Sequence, residues 1–275
     1  MKDTGTLEST DLGQLFFRDW AIPKPKAILL QLHGLGEHSG RYQHVASYFN
    51  QKGFFFRAID WPGHGKTEGL RGHAEGIDQL MHIVRYFVQK TRTEYPGIPL
   101  FLYGHSMGGN LGLYYTLQPD PGINGAIFTG PWIQLAFKPS PLLVFAGKVV
   151  GRFLPKFTQA SNLDVSYLSR DPKVVDAYVN DPLVHDQISA GLGLAILKSA
   201  DYLDHFAGTL TVPVLIMHGS GDKITSEPAS RAFCERVNGP ISFKSWDGFY
   251  HEIHNEPEKM EVFDFMNHWI KTKMG

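Results

Sequence analysis

Residues 102–110 read Leu-Tyr-Gly-His-Ser-Met-Gly-Gly-Asn, and this stretch decides how the rest of the chain is interpreted. Its serine, Ser106, stands between two glycines in a G-x-S-x-G pattern, after an apolar run at Pro99–Tyr103 and before a predicted helix at Met107–Leu117. Glycine weakens both strands and helices, so its recurrence here indicates a turn that needs the freedom of glycine. Such a strand-to-helix turn is typical of a nucleophile elbow, which exposes a catalytic serine. A glycine-rich turn with an incidental serine is the alternative.

Apolar runs alternate with amphipathic helical segments along most of the chain. Beyond the run before Ser106, strands are predicted at Ala27–Leu32, Phe54–Ile59, Ala126–Thr129, Val212–Met217 and Ile241–Trp246. These runs are apolar on both faces, which is typical of a parallel sheet covered by helices. Two further segments, Leu7–Thr10 and Leu15–Trp20, predict an N-terminal hairpin. The predicted fold class is therefore α/β, with a mostly parallel central sheet and helices on both faces.

The alternation stops between about Trp132 and Ala207, where the pattern predicts three proline-interrupted helical pieces and no clear strand. Such a long excursion is more typical of a lid than of a loop. We therefore predict a core over residues 1–133 and 207–275 and a helical cap over 134–206, inserted after the sixth strand. Within the cap, Lys138–Asn162 is basic and amphipathic, which indicates a lid that contacts a lipid surface, an ordinary cap helix, or both.

Composition excludes several classes of protein. The chain has 275 residues, of which 43% are hydrophobic and 19% charged, with a net charge of −1, so a packed core is expected and a basic nucleic-acid surface is not. Its one cysteine, Cys234, cannot form an internal disulfide. Met1–Trp20 lacks the pattern of a signal peptide, and no apolar run approaches the ~18 residues of a membrane span. We expect a cytoplasmic protein, with peripheral membrane association left open.

A serine nucleophile needs a base and an acid, which follow it in the order Ser, acid, His in sheets of this type. His251 comes after the last predicted strand and is the predicted base, with His254 as the alternative. Asp222 lies just past the strand that ends at Met217 and is the predicted acid. Three other aspartates are alternatives for the acid: Asp201, Asp204 and Asp247. The carboxyl ends of these strands meet where open α/β sheets bind ligands.

An oxyanion hole is predicted from two backbone N–H groups. The loop His33-Gly34-Leu35-Gly36 follows an early strand and offers the amide of Leu35. The second donor is the amide of Met107, directly after the nucleophile. Loss of one such donor typically raises the barrier by roughly 3 kcal/mol.

Motifs for nucleotides and metals fail on their spacing. The segment Gly63–Thr67 resembles the end of a phosphate-binding loop, but that loop needs glycine where Asp60 stands. The early Gly34-Leu35-Gly36 lacks the third glycine of a dinucleotide site, and His251–His254 is one residue short of a zinc-binding H-E-x-x-H. No cofactor and no metal are therefore predicted.

Six motifs occur in the order typical of one family. They are "HGLGEHSGRY" (33–42), "DWPGHGKTEG" (60–69), "YGHSMGGN" (103–110), "NDPLVHD" (180–186), "HGSGDKIT" (218–225) and "GFYHEIHNE" (248–256). With them, nearly the whole chain resembles the monoacylglycerol lipase and lysophospholipase branch of the α/β-hydrolases. The resemblance implies that Ser106 is the nucleophile, Asp222 the acid and His251 the base. It also implies that three residues lie near the glycerol end of the pocket: Glu37, Arg41 and His254.

The same resemblance implies a function, which is cleavage of monoacylglycerols to glycerol and free fatty acid through an acyl-enzyme, without a cofactor. A lysophospholipase and a small-ester carboxylesterase are the nearest alternatives. The alternative from a different class is a non-catalytic binding protein on the same scaffold. The expected partner is a small lipid ester and not a nucleic acid, while acyl-chain length and oligomeric state stay open.

Overall fold

A computed structural model describes residues 2–11, 13–138 and 150–274. It contains a large sheet whose strands are β1 (Lys2–Thr10), β2 (Gly13–Ala21), β3 (Ala27–Leu32), β4 (Phe54–Asp60), β5 (Leu100–His105), β6 (Gly125–Thr129), β9 (Val214–Gly219) and β10 (Ile241–Trp246). Their order is β1-β2-β4-β3-β5-β6-β9-β10. Strand β2 pairs antiparallel with both of its neighbours, β1 and β4. All other neighbouring strands in this order are parallel. The predicted α/β fold class is confirmed.

Helices cover both faces of this sheet. They are α1 (Gln43–Gln51), α2 (Ile77–Glu94), α3 (Met107–Thr116), α4 (Pro172–Val179), α5 (Ala190–His205), α6 (Glu227–Arg236) and α7 (Lys259–Lys273). Alternate strand residues point to opposite faces, so Ile28 and Leu30 join the core under α2, α3, α5 and α6, while Leu29 joins the core under α1 and α7. Both faces of the strands are therefore buried, which is why their sequences read as continuous apolar runs.

The segment between β6 and β9 differs from the sequence prediction. Besides helices, it holds two short antiparallel strands, β7 (Thr158–Ala160) and β8 (Gln187–Ser189), where no clear strand was expected. Strands of three residues are too short to show an alternating pattern, and these two pair across about thirty residues of chain. Much of the predicted basic stretch Lys138–Asn162 lies outside the described residues, and the cap boundaries 134–206 stay a prediction.

The helices of the described ranges are all too short or too polar to cross a membrane. Only α2 has 18 residues, and its buried face alternates with charged positions.

The turn from β5 into α3 is the most crowded part of the backbone around the site. Ser106 has φ 53° and ψ −115°, a conformation that residues with a side chain rarely adopt. A methyl group on Gly104 would lie 2.5 Å from the carbonyl oxygen of Gly108, and one on Gly108 would lie 2.1 Å from the carbonyl oxygen of Leu32. The glycines therefore let the start of α3 touch the end of β3 backbone to backbone.

This contact predicts that Gly108→Ala is strongly destabilising. The added methyl would meet backbone atoms of Leu32 and His33, which cannot rotate away. The free energy of unfolding should therefore fall by about 1–3 kcal/mol or more. Urea denaturation measures this change. Gly193→Ala in α5 is the matched control, since the nearest atom to an added methyl is 3.8 Å away and alanine favours helix. Equal stability of the two variants would contradict the packing argument.

Candidate active site

The three residues predicted to form a triad lie at the carboxyl ends of parallel strands. Ser106 directly follows β5, Asp222 lies three residues beyond β9, and His251 lies five residues beyond β10. All three are at least nine-tenths buried. The sheet thus brings together side chains that are separated by up to 145 positions in the sequence, counting from 106 to 251.

Asp222 contacts His251 rather than His254. The Nδ1 atom of His251 lies 2.7 Å from Oδ2 of Asp222, and the other ring nitrogen, Nε2, takes no part in this contact. The other carboxylate oxygen, Oδ1, accepts hydrogen bonds from the amides of Ile224 (2.7 Å) and Thr225 (3.0 Å). Geometry therefore favours Asp222 over the three alternative aspartates and His251 over its rival.

Charges within this pair shift both titrations. Burial alone would raise the pKa of Asp222, but the His251 ring and the donors around the carboxylate outweigh burial and hold that pKa well below its usual range. Burial also opposes the protonated form of His251, yet the facing Asp222 carboxylate raises the pKa of the ring above 6.5. The aspartate is thus ionised, and the imidazole gains a proton readily.

His254 packs beneath these residues and has a different environment. Its ring lies 4.7 Å from His105 and stacks on Tyr42 at 5.0 Å between ring centroids. Burial lowers the pKa of His254 to about 3, so the ring is neutral near pH 7. It is not among the residues that line the cavity beside Ser106, and its predicted place at the glycerol end stays a prediction.

The two predicted oxyanion donors border the serine. A methyl group on Gly34 would lie only 3.3 Å from Cβ of Ser106, so the loop after β3 adjoins the nucleophile elbow. The amide of Gly34 is occupied by the Glu37 carboxylate at 2.6 Å. Within the described ranges, the amides of Leu35 and Met107 take no part in a turn or side-chain hydrogen bond. Both N–H groups are therefore available to an incoming oxyanion.

Ser106 and His251 line one cavity, which has an apolar and a polar side. Seven residues with apolar side chains line it: Leu35, Trp132, Leu135, Leu163, Val165, Leu168 and Ile224. The polar lining includes Glu37, Tyr178 and Glu252. No lysine or arginine of the described ranges is among the lining residues. The cavity thus combines an apolar wall with carboxylates and a phenol.

Arg41 lies behind the polar side and is shared by two carboxylates. Its Nη1 atom is 2.7 Å from Oε2 of Glu37 and 2.6 Å from Oε1 of Glu252, and its Nη2 atom is 2.8 Å from Oε2 of Glu252. The guanidinium also lies 4.7 Å from the centre of the Tyr178 ring. Arg41 is therefore paired with both carboxylates and, unlike Glu37, does not line the cavity.

The single positive charge of Arg41 cannot balance two ionised carboxylates. Burial raises the pKa of Glu37, and the neighbouring Glu252 charge raises it further, against the opposing effect of Arg41. Burial acts the same way on Glu252, but its two-atom contact with Arg41 dominates and holds its pKa well below the usual range. Glu252 is accordingly the firmly ionised member of the pair.

Sequence reasoning missed the roles of two lining residues. Glu252 directly follows the predicted base, and its position in the strand-end loop was a usable signal. Tyr178 in α4 had no such signal, because a tyrosine on a short helix is usually a packing residue. Within the described ranges, no group of three or more His, Cys, Asp or Glu side chains is arranged to hold a metal ion.

Comparison with known proteins agrees with this geometry. The family model described as "Serine aminopeptidase, S33" matches residues 23–258. A monoacylglycerol lipase of Mycolicibacterium smegmatis is 34% identical over 91% of this chain and 90% of its own length. The crystal structure of a Paleococcus ferrophilus monoacylglycerol lipase superimposes with a TM-score of 0.87 and 34% identity, over 94% of this chain and 99% of that one.

The chain belongs to this serine hydrolase family. It has the α/β-hydrolase fold and is similar to the monoacylglycerol lipases within it. An uncharacterized abhydrolase domain-containing protein of Dictyostelium discoideum is 37% identical over 98% of this chain, which spans only 29% of that longer protein. The same unit therefore also occurs as part of a larger polypeptide.

The ion pair of this hydrolase predicts a specific titration. NMR of the His251 ring should give a pKa above 6.5, because the Asp222 carboxylate stabilises the protonated form. In Asp222→Asn the pKa should fall below 6.5, because burial then acts without the opposing charge. An unchanged His251 titration in the variant would contradict this assignment.

Proposed function

We propose that this hydrolase cleaves monoacylglycerols to glycerol and free fatty acid, with Ser106, His251 and Asp222 as its catalytic triad. The similarity to monoacylglycerol lipases supports the lipid ester as the class of substrate. The contact between His251 and Asp222, and the cavity that His251 shares with Ser106, support the assignment of roles.

In the proposed mechanism, Oγ of Ser106 attacks the ester carbonyl carbon while Nε2 of His251 takes the hydroxyl proton. The amides of Leu35 and Met107 donate to the oxyanion that develops. As the carbon–oxygen bond to glycerol breaks, His251 gives its proton to the departing glycerol oxygen. Water then attacks the acyl-enzyme, with His251 again as the base, and releases the fatty acid. Asp222 stays ionised and stabilises the imidazolium in both steps.

The observation that carries the choice of glycerol is the charge of the polar side of the cavity. Glu37, Glu252 and the Tyr178 hydroxyl can exchange hydrogen bonds with an uncharged polyol. A phosphate group would instead meet two carboxylates, and the one nearby guanidinium, Arg41, already binds both of them. Burial of an unpaired phosphate charge is costly. A neutral alcohol is therefore favoured over a lysophospholipid head group.

The acyl side is proposed to accept an extended hydrocarbon chain. The apolar lining residues would contact it, and each methylene removed from water contributes about 0.8 kcal/mol. A small-ester carboxylesterase would gain little from such a wall. The triad candidates are all retained, which argues against a non-catalytic binding protein.

A head-group series tests the proposal. We expect kcat/KM for 1-oleoylglycerol to exceed that for 1-oleoyl-lysophosphatidic acid on the order of 100-fold, because the phosphate leaves a buried charge unpaired. Lysophosphatidylcholine should lie between the two. Glycerol esters of increasing acyl length, assayed below their micellar concentrations, test the acyl side in the same way.

Two controls accompany this series. Ser106→Ala should lose on the order of 10⁶ in kcat and all labelling by a fluorophosphonate probe, which ties the measured hydrolysis to this serine. Equal or faster turnover of the lysophospholipids would support the lysophospholipase alternative. A flat or falling series beyond short acyl chains would support the small-ester carboxylesterase instead.

The proposal includes contact with lipid surfaces. Phe153, Leu154 and Phe157 are exposed by 73%, 62% and 54%, and exposed Arg152 and Lys156 stand among them. Aromatic and aliphatic side chains next to basic ones are typical of segments that bind at a bilayer interface. A substrate that resides in membranes or micelles would be reached from such a surface.

Vesicle sedimentation tests this contact. The double variant Phe153→Ser and Leu154→Ser should bind vesicles containing phosphatidylglycerol at least about tenfold more weakly, because less apolar surface enters the interface. Its hydrolysis of a water-soluble ester should be unchanged. Met260→Ser, which removes a 53% exposed side chain from α7, is the control and should bind like the wild type. Equal binding of the two variants would rule the segment out.

A further inference from the structure

A second histidine contacts the carboxylate of Asp222. His218, near the end of β9, is completely buried, and its Nε2 atom lies 3.0 Å from Oδ2 of Asp222. The same oxygen binds Nδ1 of His251 at 2.7 Å. The proposed acid is therefore held between two imidazole rings, of which the mechanism uses only one.

The protonation pattern of His218 follows from its neighbours. An ionised carboxylate can only accept hydrogen bonds, so Nε2 of His218 carries a proton. On the other side of the ring, Nδ1 lies 2.9 Å from the hydroxyl oxygen of Ser230, a buried residue of α6. In the neutral ring Nδ1 is an acceptor, and the Ser230 hydroxyl then donates to it. Both ring nitrogens of His218 are thus hydrogen-bonded, with Asp222 as the acceptor on one side and the Ser230 hydroxyl as the donor on the other.

Besides the two histidines, the side chain of Thr225 contacts this oxygen. The hydroxyl oxygen of Thr225 lies 2.9 Å from Oδ2 of Asp222, but it is also 3.0 Å from the carbonyl oxygen of Gly130. Its single proton can serve only one of these acceptors. The backbone amides of Ile224 and Thr225 bind the opposite oxygen, Oδ1. The Nε2 atom of His218 also lies 3.3 Å from the carbonyl oxygen of Thr225, so Oδ2 of Asp222, at 3.0 Å, is its nearer acceptor. His218 and the two amides therefore hold the carboxylate that faces His251.

We propose that His218 is a positioning residue of this hydrolase, and that the Ser230 hydroxyl supports it by donating to the opposite ring nitrogen. The proposal rests on the proposed function, because it assumes that Asp222 is the catalytic acid. A positioned acid matters most when His251 becomes an imidazolium, so the loss of His218 should lower kcat and leave KM nearly unchanged.

Three variants of the full chain test this role. His218→Leu removes the donor, and kcat per active site, counted by fluorophosphonate titration, should fall about 10- to 100-fold with KM within about twofold. His218→Gln places an N–H donor the same number of bonds from Cβ as Nε2, and it should restore most of the loss. Ser230→Ala leaves the ring in place but removes the hydrogen-bond donor to its buried Nδ1 atom, and kcat should fall about 2- to 10-fold.

The outcomes separate this role from simple packing. Equal impairment of His218→Leu and His218→Gln, or a kcat of His218→Leu within twofold of the wild type, would overturn the proposal. Should His218→Leu fail to fold, the Gln and Ala variants carry the test, and an unchanged kcat in Ser230→Ala would overturn it. Asp222→Asn separates a failure of the proposed function from a failure of the present proposal. If this variant keeps normal turnover, the proposed function fails. If it is inactive while both His218 variants have normal turnover, only the present proposal fails.

Discussion

The contact between Gly108 and the carbonyl of Leu32 is the constraint on which the site depends. It lets α3 begin against the end of β3, and this places the amide of Met107 beside the loop that carries the amide of Leu35. The same turn holds Ser106 at φ 53°, where its side chain reaches the cavity. Any side chain at position 108 would separate these groups. One missing Cβ therefore brings the proposed nucleophile close to both predicted oxyanion donors.

Two charge systems meet at the loop after β10. His251 belongs to the first, which centres on Asp222, and the next residue, Glu252, belongs to the second, which centres on Arg41. Each buried charge has an opposite charge or several donors within hydrogen-bond distance, as a water-poor site requires. In the proposed mechanism the first system moves a proton, while the second keeps its charges fixed. Glu252 and Glu37 also raise the pKa of His251, so the acidic polar wall strengthens the proposed base.

The sequence predicted the sheet and the main site residues because both leave local signals. Buried parallel strands read as apolar runs, and residues at their ends follow glycine-rich turns, as Ser106 and Asp222 do. The ribbon of β7 and β8 left no such signal, since its pairing is distant and each strand has three residues. The pairing of Arg41 with Glu252 spans 211 positions, and no periodicity connects residues so far apart. What sequence reasoning missed is therefore tertiary rather than local.

The segment between β6 and β9 also supports the base itself. The amide of His251 donates to the carbonyl of Tyr167 at 3.1 Å, and the amide of Glu252 donates to the carbonyl of Leu168 at 2.7 Å. Two residues further on, Arg170 forms an ion pair with the fully buried Glu256 at 2.9 Å. Because Leu168 also lines the cavity, the wall that faces the substrate and the loop that carries the imidazole are one hydrogen-bonded unit. A change in the shape of this wall would therefore also change the position of the base.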